Sequence, residues 1–183
     1  MVPQCENPSV QSISRETDLA WLAGIFDGEG ALAVKIGTTR SGPEPRPRLE
    51  YTVRVYNTDV RMISKISEIY VAHNLRFYYN LNRKRSDRWK DQVGICIAYL
   101  GSCLKILQAT LPYLVNKREI AQKMLDVLSY VKQFDVRRGH ASYPEYSVTP
   151  EFAAKMKAYD EARLRWIEAS TTKRHASEAL VRP

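Results

Sequence analysis

A chain of 183 residues with 44% hydrophobic and 26% charged residues is globular in composition and long enough to build one core of good size. Three cysteines (Cys5, Cys96, Cys103) without CxxC spacing argue against a disulfide framework or a zinc site, and no apolar run reaches the length of a membrane span. The net charge of +8 is concentrated between Ala31 and Gln92, where thirteen Lys and Arg stand against six Asp and Glu, so that segment either binds nucleic acid or is a solvated basic surface.

The first residues lack the basic-then-apolar order of a signal peptide, so a cytoplasmic protein is expected, or an organellar one in a eukaryotic host. A flexible segment over 1–13, one domain over 14–169 and a flexible tail over 170–183 are expected. The first helix is capped by Ser14 or Thr17, with Glu16 and Asp18 suiting its positive end. Leu19, Leu22, Ile25 and Phe26 recur at helical spacing until Gly28 and Gly30 stop the helix. "ALAVKIG" reads as a strand, "TTRSGPEPRPR" as a loop, and "LEYTVRVYN" as a second strand. "TDVRMISKISEIYVAHN" has helical period with Thr58 as a possible cap. "RFYYNLN" and "QVGICIAYLG" form a second hairpin around the basic turn "RKRSDRWKD". Helices over Ser102–Leu111, Glu119–Phe134 and Glu151–Ala169 complete the chain, the last capped by Thr149 with Pro150 in its first turn. The order αββαββα with added C-terminal helices implies an α+β fold, its four-stranded antiparallel sheet covered by helices on one face.

Alternation along the strands separates two faces. Leu32, Val34 and Ile36, then Tyr51, Val53 and Val55, then Phe77, Tyr79 and Leu81 share the apolar phase. Lys35, Arg48, Glu50, Thr52 and Arg54 on the first two strands, with Arg76, Tyr78, Asn80 and Asn82 on the third, share the polar one. Such a face is either wet or a ligand surface. Arg and Asn carry the fork geometry that reads guanine and adenine edges, and a two-stranded ribbon fits the major groove. Arg40 and Arg46 in the first loop, and Arg83, Lys84 and Arg85 in the second turn, extend the basic surface.

Ala20, Ala23, Gly24 and Asp27 form a narrow stripe of small residues ending in an acid, on a helix whose bulky residues already supply a core-facing side. The stripe packs either under the protein's own sheet or against the same helix of a second copy. In the second case a two-fold axis brings Glu29 to its symmetry mate, and divalent cations are the natural way to hold two such carboxylates together.

"LAGIFDGEG", Leu22 to Gly30, resembles the LAGLIDADG motif of homing endonucleases, matching it at Leu22, Ala23, Gly24, Asp27 and Gly30. The motif occurs once and heads the αββαββα order of that family, so the resemblance spans about residues 14–134 and implies a homodimeric, sequence-specific double-strand DNA endonuclease encoded in a mobile intron. It implies that Glu29 binds the catalytic Mg2+ or Mn2+ and that Gly28 lends a backbone carbonyl. Asn57, Arg61 and Lys117 are implied as the polar and basic groups of the active site. Relatives that lost catalysis or bind intron RNA as maturases supply two alternatives: a DNA-binding regulator and an RNA-binding splicing factor.

Overall fold

The chain is described by a computed structural model over residues 8–38, 47–83, 90–134 and 149–181, with side chains described between 15 and 171. Its elements run α1 (Pro8–Gly28), β1 (Gly30–Thr38), β2 (Pro47–Asn57), α2 (Val60–Ala72), β3 (Tyr78–Asn82), β4 (Gln92–Ile97), α3 (Leu100–Thr110), a 3-10 turn (Leu111–Tyr113), α4 (Arg118–Lys132) and α5 (Pro150–Val181). The order is the αββαββα expected, with two further helices, and the fold is α+β. The sheet has the order β1-β2-β4-β3, with β4 antiparallel to both β2 and β3. By contacts the chain forms two compact units, 1–31 with 52–115 and 32–51 with 116–183.

In the first unit the core-facing side of α1 is Leu22, Ala23 and Phe26, all fully buried. α1 packs on α2, α3 and the 3-10 turn, while α2 lays Ile63, Ile66, Ile69 and Tyr70 toward β4. Val53 and Val55 of β2 pair with Ile97 and Ile95 of β4, and all four are fully buried. α1 begins at Pro8, so Ser14 and Thr17 lie inside the helix rather than capping it. Glu16 and Asp18 are correspondingly mid-helix, where they take a hydrogen bond from Tyr113 and an ion pair from Lys65 instead of serving the helix end. The cap of α2 is Asp59, not Thr58: its Oδ1 accepts from the Arg61 amide at 2.9 Å, while Asn57 Oδ1 accepts from the Asp59 amide at 2.8 Å. Arg61 also holds the Asp59 carboxyl below its ordinary range by hydrogen bonding. Asn74, in the left-handed region at φ 52°, ends α2.

Strand β3 departs from its expected extent and burial. Tyr79 and Leu81, apolar by alternation, are 56% and 52% exposed because β3 is an edge strand. Arg76 precedes the strand: its amide donates to Ser102 Oγ, and its guanidinium sits 4.3 Å from the Tyr99 ring centroid.

In the second unit α4 presents Ile120, Ala121, Met124, Leu125, Val127, Leu128 and Val131, all buried, and packs on α5. From α5 come Phe152, Met156, Tyr159 and Ala162, a helical spacing that leaves the intervening residues mostly exposed. Thr149 caps α5 as expected, its Oγ1 accepting from the Phe152 amide at 3.2 Å. α5 runs to Val181, past the Ala169 at which the sequence pattern fades. The Tyr159 hydroxyl donates to the Leu32 carbonyl at 2.9 Å and accepts from the Val34 amide at 3.1 Å. One side chain thus satisfies two backbone groups of edge strand β1. Leu32 and Val34 are buried as expected, whereas Ile36, nearer the strand's end, is exposed.

Candidate nucleic-acid interface

The polar face of the first unit is fixed by strand register. Arg54, Cys96 and Tyr78 form one cross-strand row, and Tyr56, Gly94 and Asn80 the next. Asn82 and Gln92 form a third pair, Asn82 Nδ2 lying 3.4 Å from Gln92 Oε1. Arg54, Tyr78, Asn80 and Asn82 are exposed and Thr52 is half-buried, so these expected contact residues do share an accessible face. Tyr56 belongs to it as well and was not singled out from sequence, although it continues the i, i+2 phase of Thr52 and Arg54. A Cβ on Gly94 would collide with the Tyr56 ring, so glycine there is what lets the ring lie across β4. The Cys96 thiol sits between Arg54 and Tyr78, and burial pushes its titration up, as it does for Cys103.

In the second unit Glu50 gathers the basic groups. Lys35 Nζ is 3.0 Å from one carboxylate oxygen, while Arg48 donates from Nε and Nη2 to the other at 3.0 and 2.8 Å. Lys35 first and Arg48 second hold the Glu50 carboxyl below its ordinary value. A Cβ on Gly37 would stand 2.6 Å from Glu50 Oε1, so that glycine makes room for the cluster. Glu50 therefore holds two cations side by side in the second unit. Arg40, Arg46, Lys84 and Arg85 lie outside the described residues, and Arg83 is exposed.

The motif at the end of α1 divides into parts with different work. Gly30 is buried, and a Cβ there would lie 2.7 Å from the Phe26 Cα and 2.8 Å from the Phe26 carbonyl oxygen, so only glycine lets β1 leave the helix this closely. The half-buried Asp27 accepts from the Val115 amide at 2.7 Å, anchoring the segment after the 3-10 turn to the helix end. Glu29 occupies the turn between α1 and β1, its amide donating to the Ile25 carbonyl at 2.8 Å. Its carboxylate is exposed and has no hydrogen bond or ion pair among the described residues. Gly28 is exposed beside it. Of the small-residue stripe, Ala20 and Gly24 are exposed, while Ala23 belongs to the chain's own core.

Asn57 ends β2 as the acceptor that starts the α2 cap, and Arg61 is exposed in the first turn of α2, 3.3 Å from Asp59. Lys117 lies in the other unit, at the cap position of α4. It is 4% exposed, with Nζ 4.9 Å from the Trp166 ring centroid. Its burial separates it from the ordinary solvated lysines of the chain, and Trp166, on α5, is a neighbour no sequence pattern indicated. Among the described residues no three His, Cys, Asp or Glu side chains group as a metal cage.

No family model matches the chain, and no curated protein does. Solved structures do. The homing endonuclease I-CvuI, in complex with its target, aligns over 83% of both chains at 18% identity and a TM-score of 0.59. The archaeal intron-encoded homing endonuclease I-Vdi141I, complexed with DNA, aligns over 81% of this chain and 83% of its own at 9% identity and a TM-score of 0.58. The homing endonuclease I-TnaI aligns over 82% of this chain and 96% of its own at 13% identity and a TM-score of 0.52. The fold is that of the LAGLIDADG homing endonucleases. Within this fold the LAGLIDADG-like segment is the end of α1 and the turn into β1, and the polar face of the first unit is built from β2, β4 and β3.

Proposed function

We propose that the chain is a sequence-specific, divalent-metal-dependent double-strand DNA endonuclease, acting as a homodimer on a near-palindromic site and encoded within a mobile intron. The observation that carries this reading is the contrast within the motif. Asp27 and Gly30 have evident packing work, whereas Glu29 presents a carboxylate with no partner among the described residues, in a turn. The polar face with Arg54, Tyr78 and Asn80 supplies donors suited to base edges, and Lys35 and Arg48 supply positive charge for the duplex. The structural neighbours I-CvuI and I-Vdi141I are DNA complexes, which supports the same partner here.

The donor set fits Mg2+ or Mn2+ held jointly with phosphate oxygens rather than in an all-protein cage. Glu29, an exposed carboxylate, and the carbonyl of the neighbouring exposed Gly28 would be the chain's ligands, and Mg2+ is commonly held by one or two carboxylates plus substrate phosphates. Bound there, the ion supplies Lewis-acid stabilisation and a more acidic water. The chain's own contributions are orientation and charge. The sheet face sets the register of the duplex, and Lys117, kept from solvent beside Trp166, offsets negative charge developing on the phosphate.

The test compares the wild type with Glu29→Gln on duplexes enriched from a randomised pool, with binding read by gel shift in Ca2+ and cutting read in Mg2+. Glu29→Gln is expected to bind at least as tightly as wild type and to cut at least about 100-fold more slowly. Cutting at the wild-type rate would place the metal elsewhere, and a wild type that neither binds nor cuts duplex DNA would end the reading.

A further inference from the structure

Gly94 faces Tyr56 on one neighbouring strand and Asn80 on the other, and the missing side chain leaves the trough in which the Tyr56 ring lies. The ring crosses β4 and carries its hydroxyl to within 3.0 Å of Asn80 Nδ2, two strands from its own. Arg54 stands on the same face with its guanidinium carbon 5.9 Å from the Tyr56 ring centroid. Asn80 is exposed, so this bond adds little to folding and much to where the amide points. With one amide hydrogen directed at the Tyr56 hydroxyl and no other partner among the described residues, the second N–H and Oδ1 remain as a donor beside an acceptor. That pair matches the N7 acceptor and N6 donor of adenine.

We propose that Tyr56, seated on Gly94, is a positioning residue that holds the Asn80 amide so that it reads one adenine edge in the major groove of each half-site. The inference rests on the DNA-binding reading above and adds to it a base and the residue that orients the reader.

Full-length wild type, Tyr56→Phe and Asn80→Ala are each used to enrich duplexes from a pool randomised across the site, in Ca2+ so that nothing is cut. Wild type is expected to enrich adenine at one position per half-site. Both variants are expected to lose about ten-fold of the preference at that same position while other positions keep theirs. Tyr56→Phe keeps the ring on Gly94, so its unfolding midpoint is expected to match wild type, and an even loss across all positions would overturn the proposal in favour of a structural role. If Asn80→Ala relaxes one position and Tyr56→Phe leaves it unchanged, the positioning role is overturned while DNA binding stands. If the relaxed position is not adenine, the base assignment is overturned. If wild type enriches no duplex, the DNA-binding reading and the proposal fall together.

Discussion

Tyr70 is fully buried in the first unit, yet its hydroxyl has no hydrogen-bond partner among the described residues. Its ring packs edge-on to Phe77 at 5.5 Å, and burial pushes the hydroxyl's titration well up. An unsatisfied buried hydroxyl costs about 1–3 kcal/mol, so Tyr70→Phe should raise stability in urea unfolding by roughly 1 kcal/mol. A loss of similar size would show that the hydroxyl binds a water. Lys117 is the opposite case, a buried charge beside an aromatic ring. Methionine matches its length without its charge, so Lys117→Met isolates the contribution of the ammonium group. At a temperature where circular dichroism shows the variant folded, Lys117→Met should bind target within about two-fold of wild type and cut at least about ten-fold more slowly, as expected for a group that acts on the transition state. Unchanged cutting in single-turnover assays would remove Lys117 from the reaction.

At the scale of elements, two junctions depend on single residues. β1 leaves α1 so closely that Gly30→Ala sets a Cβ against Phe26 backbone, which has no side-chain freedom with which to yield. A loss of about 1–3 kcal/mol is expected, read from the denaturation midpoint, and an unchanged midpoint would mean that the helix end shifts freely. Thr149 starts α5 and also lies 2.9 Å from the Tyr130 hydroxyl of α4. Thr149→Ala removes both contacts and should cost about 1–2 kcal/mol, whereas Thr149→Ser should recover most of it.

For the whole molecule, assembly turns on α1. The exposed side of α1 carries Ala20, Trp21, Gly24 and Gly28, and a Cβ on Gly24 would meet nothing within 4 Å inside the chain. Gly24→Leu is therefore compatible with a folded single chain and gains helix propensity. If this strip is the contact between copies, the substitution should separate a wild-type dimer into monomers by light scattering while the circular dichroism stays unchanged. A wild type that is monomeric at concentrations where it cuts DNA would rule out the dimer.

The amino-acid sequence alone determined what depends on neighbours two to four residues apart. Alternation along β2 placed Arg54 and Val53 on opposite faces, the Thr149–Pro150 signal started α5, and Gly28 and Gly30 ended α1. The αββαββα order followed from those local signals, and so did the motif at the end of α1. Tertiary structure decided what depends on residues far apart in the chain. The sheet order left β3 at the edge, so Tyr79 and Leu81 stayed exposed despite their apolar phase. Asp27 was engaged by the amide of Val115, and Lys117 was buried beside Trp166. Gly94, distant in sequence from both Tyr56 and Asn80, became the floor on which they meet. A residue's phase is set by the period of its own strand or helix. Its burial and its partners are set by which other elements arrive beside it, and no local period encodes that.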